Sequence, residues 1–173
     1  KRILQDFGVV SRDEAKAGRL ATVSKQELID TLYDFLLGLI PINASAVLII
    51  DEAQNLPLPV LEQVRILSNL ETDKEKLLQI ILVGQLNLEA LLRSPELRQL
   101  DQRVSVRYQL KPLSEEETAA YVSHRLAIAQ SSRGVIFTPA ALKLVYHYSG
   151  GTPRLINMLC DRALLAIANF IDL

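Results

Sequence analysis

The stretch Ala46-Val47-Leu48-Ile49-Ile50-Asp51-Glu52 is where the fold of this chain is decided. An unbroken apolar run ends abruptly on two acids. A strand that is apolar at every position has no polar face for water, so it belongs in a parallel sheet with helices on both faces. A second such run, Leu77 to Val83, ends at Gly84-Gln85. Between the two, Pro57 and Pro59 open a helix whose apolar positions are Leu58, Leu61, Val64, Ile66, Leu67 and Leu70. Strand, helix, strand in this order is the unit of an α/β fold.

Working outward, Gly8 to Val23 is mixed and polar around Arg12-Asp13-Glu14 and reads as an exposed loop. Ser24-Lys25-Gln26-Glu27 is a capping box, in which serine hydroxyl and glutamate carboxylate satisfy each other's orphan backbone donors. Leu28, Leu32, Phe35, Leu36 and Leu39 follow on one helical face until Pro41 to Ser45 ends the helix. Downstream of the second apolar run, Leu86 to Leu92 is amphipathic. In Arg103 to Leu110, Val104, Val106, Tyr108 and Leu110 alternate with Ser105, Arg107 and Gln109, the period of a half-exposed strand at a sheet edge.

After Lys111-Pro112-Leu113 only helices are expected. Ser114 to Glu117 is a second capping box, opening a helix to about Gln130. Thr138-Pro139 and Thr152-Pro153 each place an N-cap threonine before a proline at the first helical position. The pattern predicts an α/β core over 1–111 and a helical subdomain over 112–173.

The chain has 173 residues, 49% of them apolar and 23% charged, which suffices for a packed core and excludes a disordered segment. Lys and Arg number 19 against 20 Asp and Glu, so the whole-chain charge gives no pull toward nucleic acid or an anionic membrane. One cysteine and two histidines leave no internal disulfide and no Cys/His zinc set. Lys1-Arg2-Ile3-Leu4-Gln5-Asp6 has no apolar core of a signal peptide. Phe35 to Ile50 is shorter than the ~20 residues of a bilayer span and is split by Pro41, Asn43 and Ser45.

Ligands of open parallel sheets lie beyond the carboxyl ends of the strands, where Asp51, Glu52 and Gln85 fall. Adjacent acids there suit magnesium-assisted phosphoryl transfer, one holding the metal's water shell and the other orienting the attacking water. The plainer alternative is that a strand needs a polar residue where it surfaces. Arg65 reads as a surface residue of the intervening helix, His124 and His147 as structural or exposed, Tyr146 and Tyr148 as core or rim of the helical subdomain, and Cys160 as a small buried apolar residue among Ile156, Leu159 and Leu164.

Four segments together carry a resemblance. Val47 to Gln54 resembles the Walker B strand of the AAA+ ATPases, and Ile80 to Gln85 the sensor-1 strand. Leu97 to Val104 resembles the arginine-finger region, and Gly150-Gly151-Thr152-Pro153-Arg154 the sensor-2 motif that opens a lid helix. The wording Asp-Glu-Ala-Gln-Asn-Leu, Leu-Ser-Asn-Leu-Glu-Thr-Asp and Arg-Leu-Ile-Asn-Met-Leu-Cys-Asp-Arg-Ala is similar to the general secretion pathway protein A (ExeA-type) family, from about Ile3 to the end.

The resemblance implies a partial AAA+, P-loop NTPase-like parallel sheet followed by a helical lid. Asp51 would support Mg²⁺ through water, Glu52 would activate the hydrolytic water, and Gln85 would be the sensor-1 group near the γ-phosphate of ATP. Arg154 would reach that phosphate from the lid. Arg103, with Arg98 as its rival, would act in trans on a neighbouring subunit, where a cation against developing charge is worth ~10³–10⁵ in rate. Arg154 also sits where positive charge opposes the helix dipole, at ~0.3–1 kcal/mol. Arg103 has a structural alternative, pairing with Asp101.

No Gly-x-x-x-x-Gly-Lys-[Ser/Thr] occurs, and no Gly-Lys pair at all, so the lysine and amide cradle for phosphates is missing from these residues. In the family that motif and two strands would precede Lys1, so negligible ATP affinity is expected of this chain alone. Family sheets run 5-1-4-3-2; here 46–50 and 77–83 would be strands 3 and 4, and 103–110 strand 5. The loss of strand 1 would leave a gap, a rearranged pairing or an edge filled by a neighbour.

The implied whole is a homo-oligomeric ATPase at the cytoplasmic face of the bacterial inner membrane. It would work with an inner-membrane partner to energise assembly of a secretion or pilus-like machine, with nucleic acid not expected as a partner. The rivals are a DNA-handling, transposition-type (TniB-like) AAA+ regulator and a non-hydrolysing interaction module.

Overall fold

A computed structural model of the chain describes residues 1–11, 23–129 and 135–171, with side chains to residue 168. The expected loop cluster Arg12-Asp13-Glu14 lies outside the described residues. The described chain forms two compact units, Lys1–Arg107 and Tyr108–Leu173.

The first unit begins with a short helix, α1 (Arg2–Asp6), followed by α2 (Lys25–Leu37). The capping box at Ser24 is complete: the Ser24 hydroxyl accepts from the Glu27 N–H, and the Glu27 carboxylate accepts from the Ser24 N–H at 2.7 Å. Asn43, in the left-handed conformation that suits its side chain, closes a 3-10 turn (Ile40–Ile42) and directs the chain into β1 (Ala46–Ile50). Helix α3 (Leu58–Leu67) returns the chain to β2 (Leu78–Leu82). The strands pair in parallel, Ala46 with Leu78 through Ile50 with Leu82. Short helices α4 (Asn87–Leu92) and α5 (Arg98–Asp101) follow.

Both strands are buried on alternate residues. Ala46, Leu48 and Ile50, with Leu78, Ile80 and Leu82, face the helices. Toward the amino ends they meet Leu4 of α1, Leu32 and Leu36 of α2, and Leu67. Toward the carboxyl ends they meet Leu61 and Val64 of α3 and Leu88 and Leu92 of α4. The other face carries Val47, Ile49 (63% exposed), Ile81 and Val83 and is exposed. Of the two faces expected to be covered, the described helices cover one. A continuous apolar run marks both faces as suited to burial, but it does not specify what covers each.

The strand expected over 103–110 does not form. Residues 104–114 carry no regular structure, and Val106, Tyr108 and Leu110 are more than four-fifths exposed. Alternation sets which side chains share a face, but a strand also needs a neighbour's backbone to bond to. The described sheet contains β1 and β2 and nothing beside them that reaches this segment.

The second unit contains α6 (Glu115–Ile128), α7 (Pro139–Ser149) and α8 (Pro153–Ile171). Ser114 and Glu117 complete the second capping box, and the Thr138 hydroxyl accepts from the Ala141 N–H. Val122, Val145, Ile156 and Cys160 are buried against one another, with Tyr121 and Leu142 packed at the margin. Burial pushes the Cys160 thiol up, as does Asp161, so it is kept protonated and unreactive, in keeping with a packing role. Between α7 and α8, Gly150 and Gly151 both take positive φ, and the Leu113 N–H donates to the Gly151 carbonyl at 2.9 Å.

Candidate functional site

The carboxyl ends of β1 and β2 lie side by side because the pairing is parallel. The ladder runs past the strands: the Val83 N–H donates to the Ile50 carbonyl at 2.8 Å, and the Ala53 N–H donates to the Val83 carbonyl at 2.9 Å. Ala53 is fully buried and anchors a 3-10 turn, Ala53–Asn55, directly beyond the acids. Glu52 joins strand to turn with φ of 52°, a left-handed conformation that costs a non-glycine residue about 1–3 kcal/mol and persists only where its surroundings impose it. Asp51 stabilises this bend by accepting the Glu52 N–H on Oδ1 at 2.8 Å.

The bend turns the Glu52 carboxylate toward three amides. Gln54 Nε2 donates to Glu52 Oε2 at 2.7 Å, Asn55 Nδ2 at 3.3 Å and Gln85 Nε2 at 3.5 Å. The Gln85 backbone N–H in turn donates to Gln54 Oε1 at 3.2 Å. Gly84 makes room for this: a Cβ there would lie 2.5 Å from Gln54 Oε1. The structure thus brings Asp51, Glu52 and Gln85 together at one end of the sheet, on exposed side chains open to a ligand.

Sequence reasoning misses the part played by Gln54 and Asn55. Its signal is two amides directly after an acid pair, a donor set matched to a carboxylate acceptor.

Among the described residues, no arginine of the first unit bonds these three side chains. Asp101 pairs with Arg107 at 2.8 Å, not with Arg103. Arg103 is exposed after α5, and its charge helps, behind Lys76, to lower the Glu71 carboxyl beside the amino end of β2. Arg98 is exposed at the start of α5. Arg65, expected at the surface, is instead half-buried and bonds Glu62 along α3 at 2.7 Å. Arg154 stands exposed in the first turn of α8, in the second unit.

Among the described residues no group of three or more His, Cys, Asp or Glu side chains is placed to hold a metal ion. The carboxylates present at the strand ends, Asp51 and Glu52, would suit a cation held through its waters rather than a caged one. Mg²⁺ keeps most of its waters and takes one or two carboxylates together with substrate phosphates. Asp51 is exposed, with Oδ1 engaged by the Glu52 amide and Oδ2 without a described partner.

This crossover unit, with an acid pair and a facing amide at its carboxyl end, is consistent with a partial P-loop NTPase-like α/β fold. The chain belongs to the AAA domain family, whose model matches residues 1–92. Over 139 residues, 80% of this chain, it is 51% identical to general secretion pathway protein A of Aeromonas hydrophila. It spans 25% of that relative's length. No solved structure matches it. No described helix is long and apolar enough to cross a membrane.

Proposed function

We propose that this chain is part of an AAA-type ATPase that couples ATP hydrolysis to assembly of a secretion or pilus-like machine in the cell envelope. The observation that carries the enzymatic reading is the meeting of Glu52 and Gln85 across the carboxyl ends of two parallel strands, beside Asp51. The relative's name supplies the secretion context.

In this reading Glu52 accepts a proton from the attacking water as the water oxygen bonds to the terminal phosphorus and the bond to the leaving diphosphate breaks. Gln85 reads the terminal phosphate, with its amide already poised against Glu52. Asp51 would hold the water shell of Mg²⁺, and the ion when bound would offset charge on the phosphates. Arg154 reaches the nucleotide from the helical unit. Arg103 serves a neighbouring subunit of a homo-oligomer. The oligomer acts at the inner face of the inner membrane with a membrane partner.

The test is ATP turnover by the full-length protein carrying Glu52→Gln. Loss of a general base lowers kcat by ~10²–10⁴. Turnover equal to the parent's would refute the assignment and favour a non-hydrolysing interaction module.

A further inference from the structure

Gln54 is bonded at both ends of its amide. Its Nε2 donates to Glu52 Oε2 at 2.7 Å and its Oε1 accepts the Gln85 N–H at 3.2 Å. Rotating the amide by half a turn would set oxygen against carboxylate and N–H against N–H, so a single orientation satisfies both partners. The residue is half-buried on a turn whose preceding residue, Ala53, is fully buried and bonded to the end of β2. Its own backbone is therefore held, and the amide is a fixed fitting rather than a loose surface group. The closeness of Gly84, where any Cβ would fall 2.5 Å from Gln54 Oε1, shows that the two loops approach each other around this one amide.

The three amides that reach Glu52 all end on Oε2. Oε1 has no described partner and is the oxygen left to take a proton from water. An exposed glutamate otherwise samples several rotamers, and bonds to an ionised acceptor are about twice as strong as neutral ones, so the shortest of the three decides the orientation. Gln85 touches this arrangement twice, through its backbone to Gln54 and through its side chain to Glu52. A displacement of Gln85 would therefore act on Glu52 both directly and through the Gln54 amide.

We propose that Gln54 is a positioning residue that fixes the Glu52 carboxylate for water activation and makes its orientation answer to the Gly84–Gln85 loop. The inference rests on the reading of Glu52 as the base.

The experiment compares the full-length parent with Glu52→Gln, Gln54→Met and Gln54→Glu, measuring kcat and KM for ATP with Mg²⁺, and ATP binding separately. Met keeps the length of the side chain without its polar ends; Glu keeps the shape but cannot donate. If Glu52→Gln retains parental turnover, the underlying reading fails and the inference with it. If Glu52→Gln is inactive, both Gln54 variants are expected to lose about tenfold to a hundredfold in kcat, with KM and ATP binding unchanged. Parental kcat in either Gln54 variant overturns the positioning role while leaving Glu52 as the base. Loss of ATP binding in step with kcat also overturns it, because that is the mark of a merely structural residue.

Discussion

Alanine at Gly151, set against alanine at Gly150, measures what one backbone close approach is worth in the second unit. Both glycines are left-handed, with φ of +74° and +54°, so either substitution carries the same conformational cost of about 1–2 kcal/mol. At Gly150 a Cβ meets nothing within 4 Å, and the cost ends there. At Gly151 the Cβ would lie 2.0 Å from the Leu113 carbonyl oxygen and 2.9 Å from that residue's C and N. These atoms are all main chain and cannot swing aside. The two segments must part, which adds overpacking strain of about 1–3 kcal/mol. Parting them also breaks the bond from the Leu113 N–H to the Gly151 carbonyl, worth about 0.5–1.5 kcal/mol.

Gly151→Ala is thus expected to cost about 3–6 kcal/mol, some 2–4 more than Gly150→Ala, a large part of a typical domain's stability. Urea unfolding followed by tyrosine emission reads this well. The chain has no tryptophan, and of its five tyrosines Tyr108, Tyr121, Tyr146 and Tyr148 lie in the second unit. Equal midpoints for the two variants would refute the reasoning, since conformation alone would then account for both.

Ser114→Ala removes the acceptor for the Glu117 N–H and is expected to cost about 0.5–2 kcal/mol, read as a lower melting temperature by circular dichroism. Glu27 and Glu71 are both held below the ordinary 4.5, Glu27 by the Ser24 backbone and hydroxyl and Glu71 by Lys76. A lowered folded-state pKa adds stability above the ordinary value that is lost as pH falls through the folded one. Stability should therefore decline as pH drops below 4.5, and Glu71→Gln should flatten that decline in urea midpoints taken across the range. A decline of unchanged steepness would rule the pair out as a source.

What the sequence disclosed was what is local or periodic. The capping boxes at Ser24 and Ser114 depend on four consecutive residues, and each forms with both of its bonds. The two apolar runs are neighbouring parallel strands, because burial and chain order leave few other solutions. Val104 to Leu110 alternates correctly yet stays unpaired, since periodicity carries no information about the partner's backbone. Within the site, the positions of Asp51, Glu52 and Gln85 follow from where the strands stop. The part played by Gln54 and Asn55 does not, because it depends on a left-handed bend at Glu52, a conformation that residue type does not favour. Spacing makes Arg103 a candidate partner for Asp101, but Arg107 reaches that carboxylate instead.

The face formed by Val47, Ile49, Ile81 and Val83 has a practical consequence. A ribbon of two strands has no interior strand, so among the described residues each margin keeps a row of amides and carbonyls without a neighbouring strand, and an oily surface lies between them. Such a combination is adhesive. Prepared by itself at high concentration, the polypeptide will tend to cloud and to cling to column resins, and a charged residue at Ile49, 63% exposed and outside both packed clusters, is the mildest way to keep it in solution.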